Sequence, residues 1–367
     1  MDTERLDGIS EPLLTWFRAH ARRLPWRDDP RPYYVWVSEI MLQQTRVEAV
    51  KPFFARFIRA LPDVAALAAC PEDQLLKLWE GLGYYNRVRN MQKAAQIAVD
   101  KYAGELPHTC EELLLLPGIG SYTAGAVASI AYGQAVPAVD GNVLRVISRI
   151  CGSRQDIGKQ SVKKEFERIV GRIIPPDQAG AFNQALMELG ATVCLPNGQP
   201  DCSVCPLRNV CYARENGCQT ELPVKAEKKA RRIEKRTVLV VRDSERALIG
   251  RRSDKGLLAG LYELPNVPGY LSQEEALAYV RGLQFSPIRI QKLPAAKHIF
   301  SHVEWQMQGY MVLVEDRKAK AQDMPSDQML LFIEPERTEQ EYPVPAAFAA
   351  YTKYLSIRLG QEKYTDL

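Results

Sequence analysis

The chain has 367 residues, of which 46% are hydrophobic, and this predicts two or three domains with cores of their own. Its formal net charge of +4 is mildly basic, which permits a nucleic-acid partner without indicating one. The polar N-terminus lacks the apolar core of a signal peptide, and no stretch reaches transmembrane length. We therefore expect a cytoplasmic protein that binds no membrane, in which eight cysteines favour metal or cluster ligation over disulfides.

The first part of the chain is predicted to be almost entirely helical. An amphipathic helix is expected over 11–23, and its end overlaps the basic loop RRLPWR at 22–27. Further helices are expected over 33–60 and, with breaks at glycines and prolines, from Val143 to Val193. Up to about residue 218 the sequence therefore predicts an all-α region.

Residues 113–131, LLLLPGIGSYTAGAVASIA, predict a helix–hairpin–helix. Pro117 lacks a backbone donor, and Gly118 and Gly120 tolerate positive φ, so the first helix must end there. Ser121 begins a second helix whose small residues allow close packing on a neighbour. The turn points backbone N–H groups outward at a helix N-terminus, which suits a phosphate. A plain αα-hairpin without a ligand is the alternative.

Four cysteines, Cys194, Cys202, Cys205 and Cys211, follow the pattern C-x7-C-x2-C-x5-C. Thiolates this close in sequence can enclose one small metal centre. A single C-x2-C pair with two widely spaced flanking cysteines fits an iron–sulfur cube better than the paired C-x2-C knuckles of a four-thiolate zinc site. Zinc is the alternative metal.

The composition changes after Cys218. Residues 223–236, PVKAEKKARRIEKR, are strongly basic and predict a solvated linker, or else a segment that lies along a phosphate backbone. A second, α/β domain is predicted from residue 237. Its β-type runs are at 237–241, 247–250, 257–264, 289–293 and 305–314, and its helices are at 273–282 and 345–358.

The LPGIG hairpin, the aspartate in the VDGNV that follows it, and the later four-cysteine loop together resemble the endonuclease III superfamily of DNA glycosylases. Within that superfamily, residues 22–46, which include RRLPWR and YYVWVSEIMLQQTR, resemble the adenine DNA glycosylases. The resemblance implies a multidomain fold. Its parts are an all-α helix–hairpin–helix catalytic region over 1–220 with a 4Fe-4S cluster loop at 194–211, a basic linker over 221–236, and an α/β Nudix-like domain for lesion recognition over 237–367.

Two departures from the family pattern are informative. Seven residues separate the first two cysteines, where six are usual in the family, and the Pro/Gly-containing loop LPNGQPD can absorb the extra residue. Tyr122 stands where bifunctional relatives carry a lysine that forms a Schiff base and cleaves the strand. Because tyrosine cannot form a Schiff base, the sequence predicts a monofunctional glycosylase.

Hydrolysis of an N-glycosidic bond needs an acid for the leaving base and an anion for the oxocarbenium ion. Glu39 lies beside Trp36 and Ile40, where burial is expected to raise its pKa. By resemblance, Glu39 protonates adenine N7 and then activates the water, although the residue alone is equally an ion-pair partner on a helix face. Asp140 precedes a predicted helix, so it is expected to be an N-cap with a low pKa. By resemblance, Asp140 faces the sugar and stabilises the cation, or traps it covalently.

The resemblance assigns roles to further residues, each of which is individually compatible with ordinary packing. Tyr122 and Asn142 are expected to assist at the reacting centre. The extruded adenine is expected to be read by Trp26, Arg27, Leu42 and Gln184. DNA is expected to be contacted or wedged by Gln43, Gln44, Thr45, Tyr84, Gly118, Gly120 and Ser121. A lesion opposite the adenine is expected to be read by Phe300, Ser301 and His302.

No acidic metal box of the Nudix hydrolases follows GLLAGLYELP at 256–265, so the C-terminal domain is predicted to recognise a nucleotide without hydrolysing it. The sequence thus predicts a monomeric, monofunctional glycosylase of the cytoplasm, acting at the nucleoid on double-stranded DNA. Its substrate would be adenine opposite 8-oxoguanine or guanine. One alternative is a glycosylase/lyase for oxidised pyrimidines, which Tyr122 disfavours. Another is a non-catalytic DNA-binding or redox module, which Glu39 and Asp140 disfavour because a binding module does not need two carboxylates near anionic phosphates.

Overall fold

A computed structural model describes residues 1–226, 230–243, 245–315, 330–357 and 359. The chain forms two compact units: the helical unit, Met1–Ala69 with Arg89–Lys228, and the sheet unit, Cys70–Val88 with Lys229–Leu367. Across the described ranges, no helix is long and apolar enough to cross a membrane.

The helices are α1 (Ser10–His20), α2 (Pro25–Asp28), α3 (Pro32–Leu42), α4 (Val47–Ala60), α5 (Val64–Ala69), α6 (Glu72–Leu78), α7 (Asn86–Lys101), α8 (Cys110–Leu113), α9 (Ser121–Tyr132), α10 (Gly141–Cys151), α11 (Gln160–Ile173), α12 (Ala179–Thr192), α13 (Tyr212–Glu215), α14 (Gln273–Gly282) and α15 (Ala349–Thr352). The strands are β1 (Arg232–Arg242), β2 (Ala247–Arg251), β3 (Tyr262–Glu263), β4 (Asn266–Pro268), β5 (Pro287–Ile299), β6 (Val303–Val314) and β7 (Leu330–Ile333).

The hairpin in the helical unit is formed by α8 and α9. Thr109 caps α8 by accepting a hydrogen bond from the Glu112 amide, at 3.2 Å. The chain then turns through Gly118, whose φ of +77° is in the left-handed region that glycine tolerates. Helix α9 begins at Ser121, so the helix–hairpin–helix expected from the sequence is confirmed.

Helix α9 is buried along most of its length because its side chains are small. A Cβ on Gly180 of α12 would lie 2.6 Å from the carbonyl oxygen of Ser129 in α9, so the two backbones approach closely only with glycine there. Helix α9 also packs against α3, which is buried on nearly all sides. This packing brings Tyr122 of α9 against Glu39 of α3.

The sheet unit contains a mixed sheet with strand order β3-β2-β1-β6-β5, to which β4 adds on β1 and β7 on β2. Strands β1 and β6 are parallel, whereas β5 and β6 form an antiparallel hairpin. Residues of β1 alternate between two cores: Val238 and Val240 pack in one, and Leu239 and Val241 in the other. The sheet is thus covered on both faces, as expected for an α/β domain.

The segment Cys70–Val88 belongs to the sheet unit, although the sequence predicted one continuous helical region up to residue 220. Buried ionic contacts explain the grouping. The Lys77 ammonium donates to the carbonyl oxygens of Thr338 and Tyr342 and pairs with Glu80 at 2.7 Å. The other oxygen of Glu80 accepts from the Val344 amide at 2.9 Å.

Strand β1 begins at Arg232, inside the stretch that the sequence predicted as a linker. The reason is a tertiary contact: the Arg236 guanidinium lies 4.3 Å from the centre of the Trp305 ring, and the Trp305 indole donates to Glu234 at 3.1 Å. Basic and acidic side chains that look solvated in the sequence therefore cover a buried aromatic ring of β6.

Three predicted elements differ from those in the structure. The strand expected over 257–264 is reduced to Tyr262–Glu263, because Gly256, Leu258 and Gly260 have positive φ and turn the chain. The prediction of one helix over 345–358 is wrong. Residues 346–355 form short 3₁₀ turns on either side of α15, and these turns fill the core of the sheet unit. Residue 358 lies outside the described residues. The first helix ends at His20 rather than at residue 23, and Pro25 starts α2. The helix at 273–282 is confirmed.

Candidate active site

A large cavity opens in the helical unit. Its volume is about 1340 Å³, and it is lined by α2, α3, the hairpin turn, the start of α9, the start of α10 and one face of α12. Glu39 and Asp140 both line this cavity. So do the other site residues predicted in this unit, apart from the cysteines: Trp26, Arg27, Leu42, Gln43, Gln44, Thr45, Gly118, Gly120, Ser121, Tyr122, Asn142 and Gln184.

Glu39 is a buried carboxyl with one neutral hydrogen-bond donor. Its exposed fraction is 6%, and the Tyr122 hydroxyl donates to Oε2. Burial raises the pKa of Glu39 to about 7, although the hydrogen bond from Tyr122 opposes the rise. The sequence prediction of a raised pKa is confirmed. A carboxyl with this pKa holds a proton over part of the neutral range and can deliver it to a bound base.

Tyr122 lies close to both acidic groups. Burial raises the pKa of its phenol well above the usual value, and the charges of Glu39 and Asp140 act in the same direction. The phenol therefore keeps its proton and remains a donor. Its oxygen also lies 3.7 Å from the sulfur of Met187 in α12, which completes the wall on that side.

Asp140 is the N-cap of α10, as the sequence predicted. Its Oδ1 accepts from the Val143 amide at 2.8 Å, and its Oδ2 accepts from the Asn142 side-chain amide at 2.7 Å. The predicted low pKa is wrong. Burial raises the pKa of Asp140, and the two hydrogen bonds oppose that rise without cancelling it.

Arg145 holds Asn142 in the orientation that Asp140 requires. Its guanidinium donates to Asn142 Oδ1 at 2.9 Å, to the Gly190 carbonyl at 2.8 Å and to the Cys194 carbonyl at 2.8 Å. Because Asn142 Oδ1 is thus occupied, its NH2 group is the end that faces Asp140. Arg145 was not predicted as a site residue; its position three residues after Asn142, one helical turn on, was the available signal.

A buried carboxylate on α12 organises the opposite wall. Glu188 is 1% exposed and binds Arg22 Nε at 2.6 Å and Arg27 Nη2 at 2.9 Å. Burial by itself would raise the pKa of Glu188, but the two guanidinium groups outweigh it and lower the pKa. Gln184, one turn earlier, accepts from Arg27 Nε at 3.1 Å. The sequence analysis missed Glu188, although its i, i+4 spacing from Gln184 places both on one helix face.

Two predicted wedge residues have left-handed backbones. Gln44, which follows α3 in the helical unit, has φ +65°, and Tyr84, in the sheet unit, has φ +48°. Non-glycine residues rarely adopt this region, and such strain collects at functional sites. Tyr84 is 49% exposed, which is unusual for a large aromatic residue.

In the sheet unit, Tyr84 lies beside the predicted lesion-reading turn. The Tyr84 and Ser301 hydroxyl oxygens are 3.1 Å apart. Phe300, Ser301 and His302 join β5 to β6; the Phe300 ring packs 4.9 Å from that of Trp305, whereas Ser301 and His302 are exposed. The structure thus brings Tyr84 and this turn together, although 217 positions separate Tyr84 from Ser301.

The four cysteines lie outside the cavity, in the loop after α12. Burial raises the pKa of Cys205 to about 12 and also raises that of Cys211. Among the described residues, no group of three or more His, Cys, Asp or Glu side chains is arranged to hold a metal ion as placed.

The donor set fits an iron–sulfur cluster. All four cysteines are free of disulfides and half-buried. The Arg149 guanidinium donates to Cys194 Sγ at 3.1 Å and so supplies a positive charge for a thiolate. Cys194, Cys205 and Cys211 pack against apolar clusters of the helical unit.

Two family models match the chain. Residues 37–172 match the HhH-GPD superfamily of base excision DNA repair proteins, and residues 237–354 match a NUDIX domain. The chain is 32% identical to the adenine DNA glycosylase of Homo sapiens, over 99% of this chain and 76% of that protein. It is 36% identical to the adenine DNA glycosylase of Mus musculus, over 87% of this chain and 73% of that protein.

Solved structures resemble the chain over its helical part. A trapped covalent intermediate of endonuclease III with DNA has a TM-score of 0.51 at 26% identity, covering 59% of this chain and 99% of that one. A thermostable thymine-DNA glycosylase has a TM-score of 0.53 at 26% identity, covering 58% and 98%.

Proposed function

Because the chain belongs to the HhH-GPD superfamily of base excision DNA repair proteins, and within it to the adenine DNA glycosylases, we propose that it removes adenine mispaired with 8-oxoguanine or guanine. The chain is a DNA N-glycosylase, a hydrolase, and we propose that it acts without strand cleavage. The observation that carries the proposal is a pair of carboxyls, buried Glu39 and half-buried Asp140, which line one cavity together with Tyr122.

In the first step, protonated Glu39 delivers its proton to N7 of an adenine that has been flipped into the cavity. The bond between C1′ and N9 then breaks, and its electron pair leaves with the base. The raised pKa of Glu39, about 7, supports this role because the acid form is available at neutral pH. The Tyr122 hydroxyl orients the carboxyl by donating to its other oxygen.

In the second step, Asp140 stabilises the positive charge that develops on the sugar. Its two hydrogen bonds, from Val143 and Asn142, fix the carboxylate without neutralising it. Ionised Glu39 then accepts a proton from water as the water oxygen attacks C1′. The products are free adenine and an abasic site, and Glu39 is protonated again.

The base pocket is proposed to include Trp26, Arg27, Leu42 and Gln184. Glu188 holds Arg27 in place, and its buried charge is balanced by Arg22 on the other side. Removal of Glu188 would leave both guanidinium groups without their carboxylate partner, and breaking a buried ion pair in this way costs about 3–5 kcal/mol. We therefore expect the side chains that contact adenine on this side of the pocket to keep their conformation when the base binds.

Tyr122 supports the monofunctional assignment. It stands at the lysine position of the bifunctional relatives and carries no amine that could form a Schiff base. Its hydroxyl donates a hydrogen bond to Glu39, and its raised pKa keeps the phenol protonated. An abasic site without a strand break is the expected product.

We further propose that Cys194, Cys202, Cys205 and Cys211 bind a 4Fe-4S cluster. When bound, the cluster would cross-link the loop after α12, and no step of the hydrolysis passes through it. Phe300, Ser301 and His302 are proposed to read 8-oxoguanine, and the sheet unit to recognise the lesion without nucleotide hydrolysis. We propose that the protein acts as a monomer on nucleoid DNA.

The test is excision from a duplex that carries adenine opposite 8-oxoguanine, with and without alkaline treatment. Strand breaks only after alkali are expected for the wild type. Glu39→Gln is expected to bind this duplex as the wild type does and to release no adenine. Breaks without alkali would contradict the monofunctional assignment, and normal excision by Glu39→Gln would show that Glu39 is not the acid.

A further inference from the structure

A carboxylate from another helix binds the hydroxyl of Ser121, next to the hairpin turn where a phosphate is expected. The Ser121 hydroxyl, at the first residue of α9, donates to Oε1 of Glu167 at 2.6 Å. Glu167 lies on α11, so it reaches the hairpin from a different helix. Both residues line the cavity together with Gly118 and Gly120, the glycines of the turn.

Helix α9 itself supplies no negative charge at its first turn. Its N-cap residue, Gly120, supplies no side-chain hydrogen bond, and no acidic residue lies in the first turn. Helix N-termini favour negative charge through their outward N–H groups and the helix dipole. Glu167 therefore supplies, from outside the helix, the negative charge that a DNA phosphate would bring.

We propose that Glu167 is an internal competitor for the phosphate that the hairpin binds, and that DNA displaces it from Ser121. This inference rests on the proposed function in one respect, namely that the hairpin contacts the DNA backbone. Displacement frees the Ser121 hydroxyl to donate to the phosphate. Lys163, four residues earlier on α11, also lines the cavity, and it lies within reach of the released carboxylate.

The consequence is a lower affinity for DNA that carries no mispair. Every phosphate that enters the hairpin must first break the contact between Ser121 and Glu167, and then binds close to a like charge. The penalty is the same free energy in every complex that uses the hairpin, and it matters most for undamaged DNA, where backbone contacts supply essentially the whole affinity. Glu167 thus tunes how easily the enzyme leaves undamaged sites.

The experiment measures the Kd of the cluster-loaded full chain for an undamaged duplex at fixed salt. Glu167→Gln keeps the shape of the side chain and removes its charge, and its Kd is expected to fall about fivefold, because DNA then has to displace a neutral hydrogen bond in place of a charge-assisted one. Glu165→Gln is the matched control. It makes the same charge change on α11, but Glu165 contacts Gln155 at 3.1 Å and not the hairpin.

A double-mutant cycle with Ser121→Ala tests the displacement itself. Without the hydroxyl there is no contact for DNA to break, so the gain from Glu167→Gln is expected to shrink to that of Glu165→Gln. Equal Kd values for Glu167→Gln and Glu165→Gln, or an undiminished gain in the Ser121→Ala background, would overturn the proposal. Adenine excision is measured in parallel: its absence in the wild type would refute the proposed function and leave the binding result to decide the role of Glu167.

Discussion

Replacement of Tyr122 by Phe is expected to shift the pH dependence of adenine excision to higher pH. Burial raises the pKa of Glu39 to about 7, and the Tyr122 hydroxyl opposes this rise by stabilising the ionised carboxylate. A hydrogen bond to a charged group contributes about 1.5–3 kcal/mol. At about 1.4 kcal/mol per pKa unit, its loss corresponds to a further rise of about 1–2 units.

The sign follows from the role proposed for Glu39, that of the general acid. Excision requires the protonated carboxyl, so the rate falls as the pH rises through the pKa of Glu39. Tyr122→Phe removes the group that lowers this pKa, so the fall moves upward by the same 1–2 units. The maximal rate is expected to decrease as well, because the carboxyl loses the contact that orients it.

The assay is single-turnover release of adenine, with enzyme in excess over duplex, followed from mildly acidic to alkaline pH. Tyr132→Phe is the matched control: Tyr132 lies on the same helix, and its hydroxyl donates to the Leu106 carbonyl at 2.8 Å, away from the carboxyls. Its profile is expected to match that of the wild type. A Tyr122→Phe profile that stays in place or moves to lower pH would refute the role assigned to this hydrogen bond.

Three further outcomes are expected. Glu39→Gln should raise Tm at alkaline pH but much less at acidic pH. Between pH 4.5 and about 7 the carboxyl is ionised in the unfolded chain but still protonated in the folded one, so the wild type loses up to about 3 kcal/mol of stability over that range. An equal gain at both pH values would contradict the raised pKa. Arg145→Met should slow single-turnover excision about tenfold or more while the duplex still binds, because Asn142 loses the donor that turns its NH2 group toward Asp140; a weakened Kd with an unchanged rate would count against this. Gly190→Ala should slow excision too, since the added Cβ would lie 2.6 Å from the Cβ of Asn142. Gly198→Ala is the control for a general loss of stability, measured as Tm: its Cβ would have no atom within 4 Å, but Gly198 has φ +76°.

The two carboxyls differ in the kind of support they receive. Glu39 has one hydrogen-bond donor from a neutral phenol, and burial therefore dominates its pKa. Asp140 is held by the Val143 amide and by Asn142, which Arg145 orients in turn. One group is suited to carry a proton at neutral pH, and the other is held in place by its hydrogen bonds, as the cation-stabilising role proposed for it requires.

Cap and turn chemistry depends on neighbours in sequence, and there the predictions hold. Asp140 caps α10 because a short acidic side chain stands before the helix with the Val143 amide in reach. The hairpin forms because α8 ends at Leu113, the chain turns through Pro117 and Gly118, and Ser121 begins α9. The pKa of Asp140 shows the limit of this reasoning: the local donors were predicted, but the burial that outweighs them comes from the packed helices around them.

The sequence by itself determined the helix–hairpin–helix, the four-cysteine loop, the change to an α/β domain and the family, since each depends on residue types at short, fixed spacing. Only the tertiary structure decided which groups meet. Tyr122 and Glu39 are 83 positions apart, and Glu188 pairs with Arg22 across 166 positions. The start of β1 and the grouping of Cys70–Val88 with the sheet unit were likewise fixed by distant contacts. Charge pairing and burial depend on distance in space, and chain positions far apart carry no local signal of that distance.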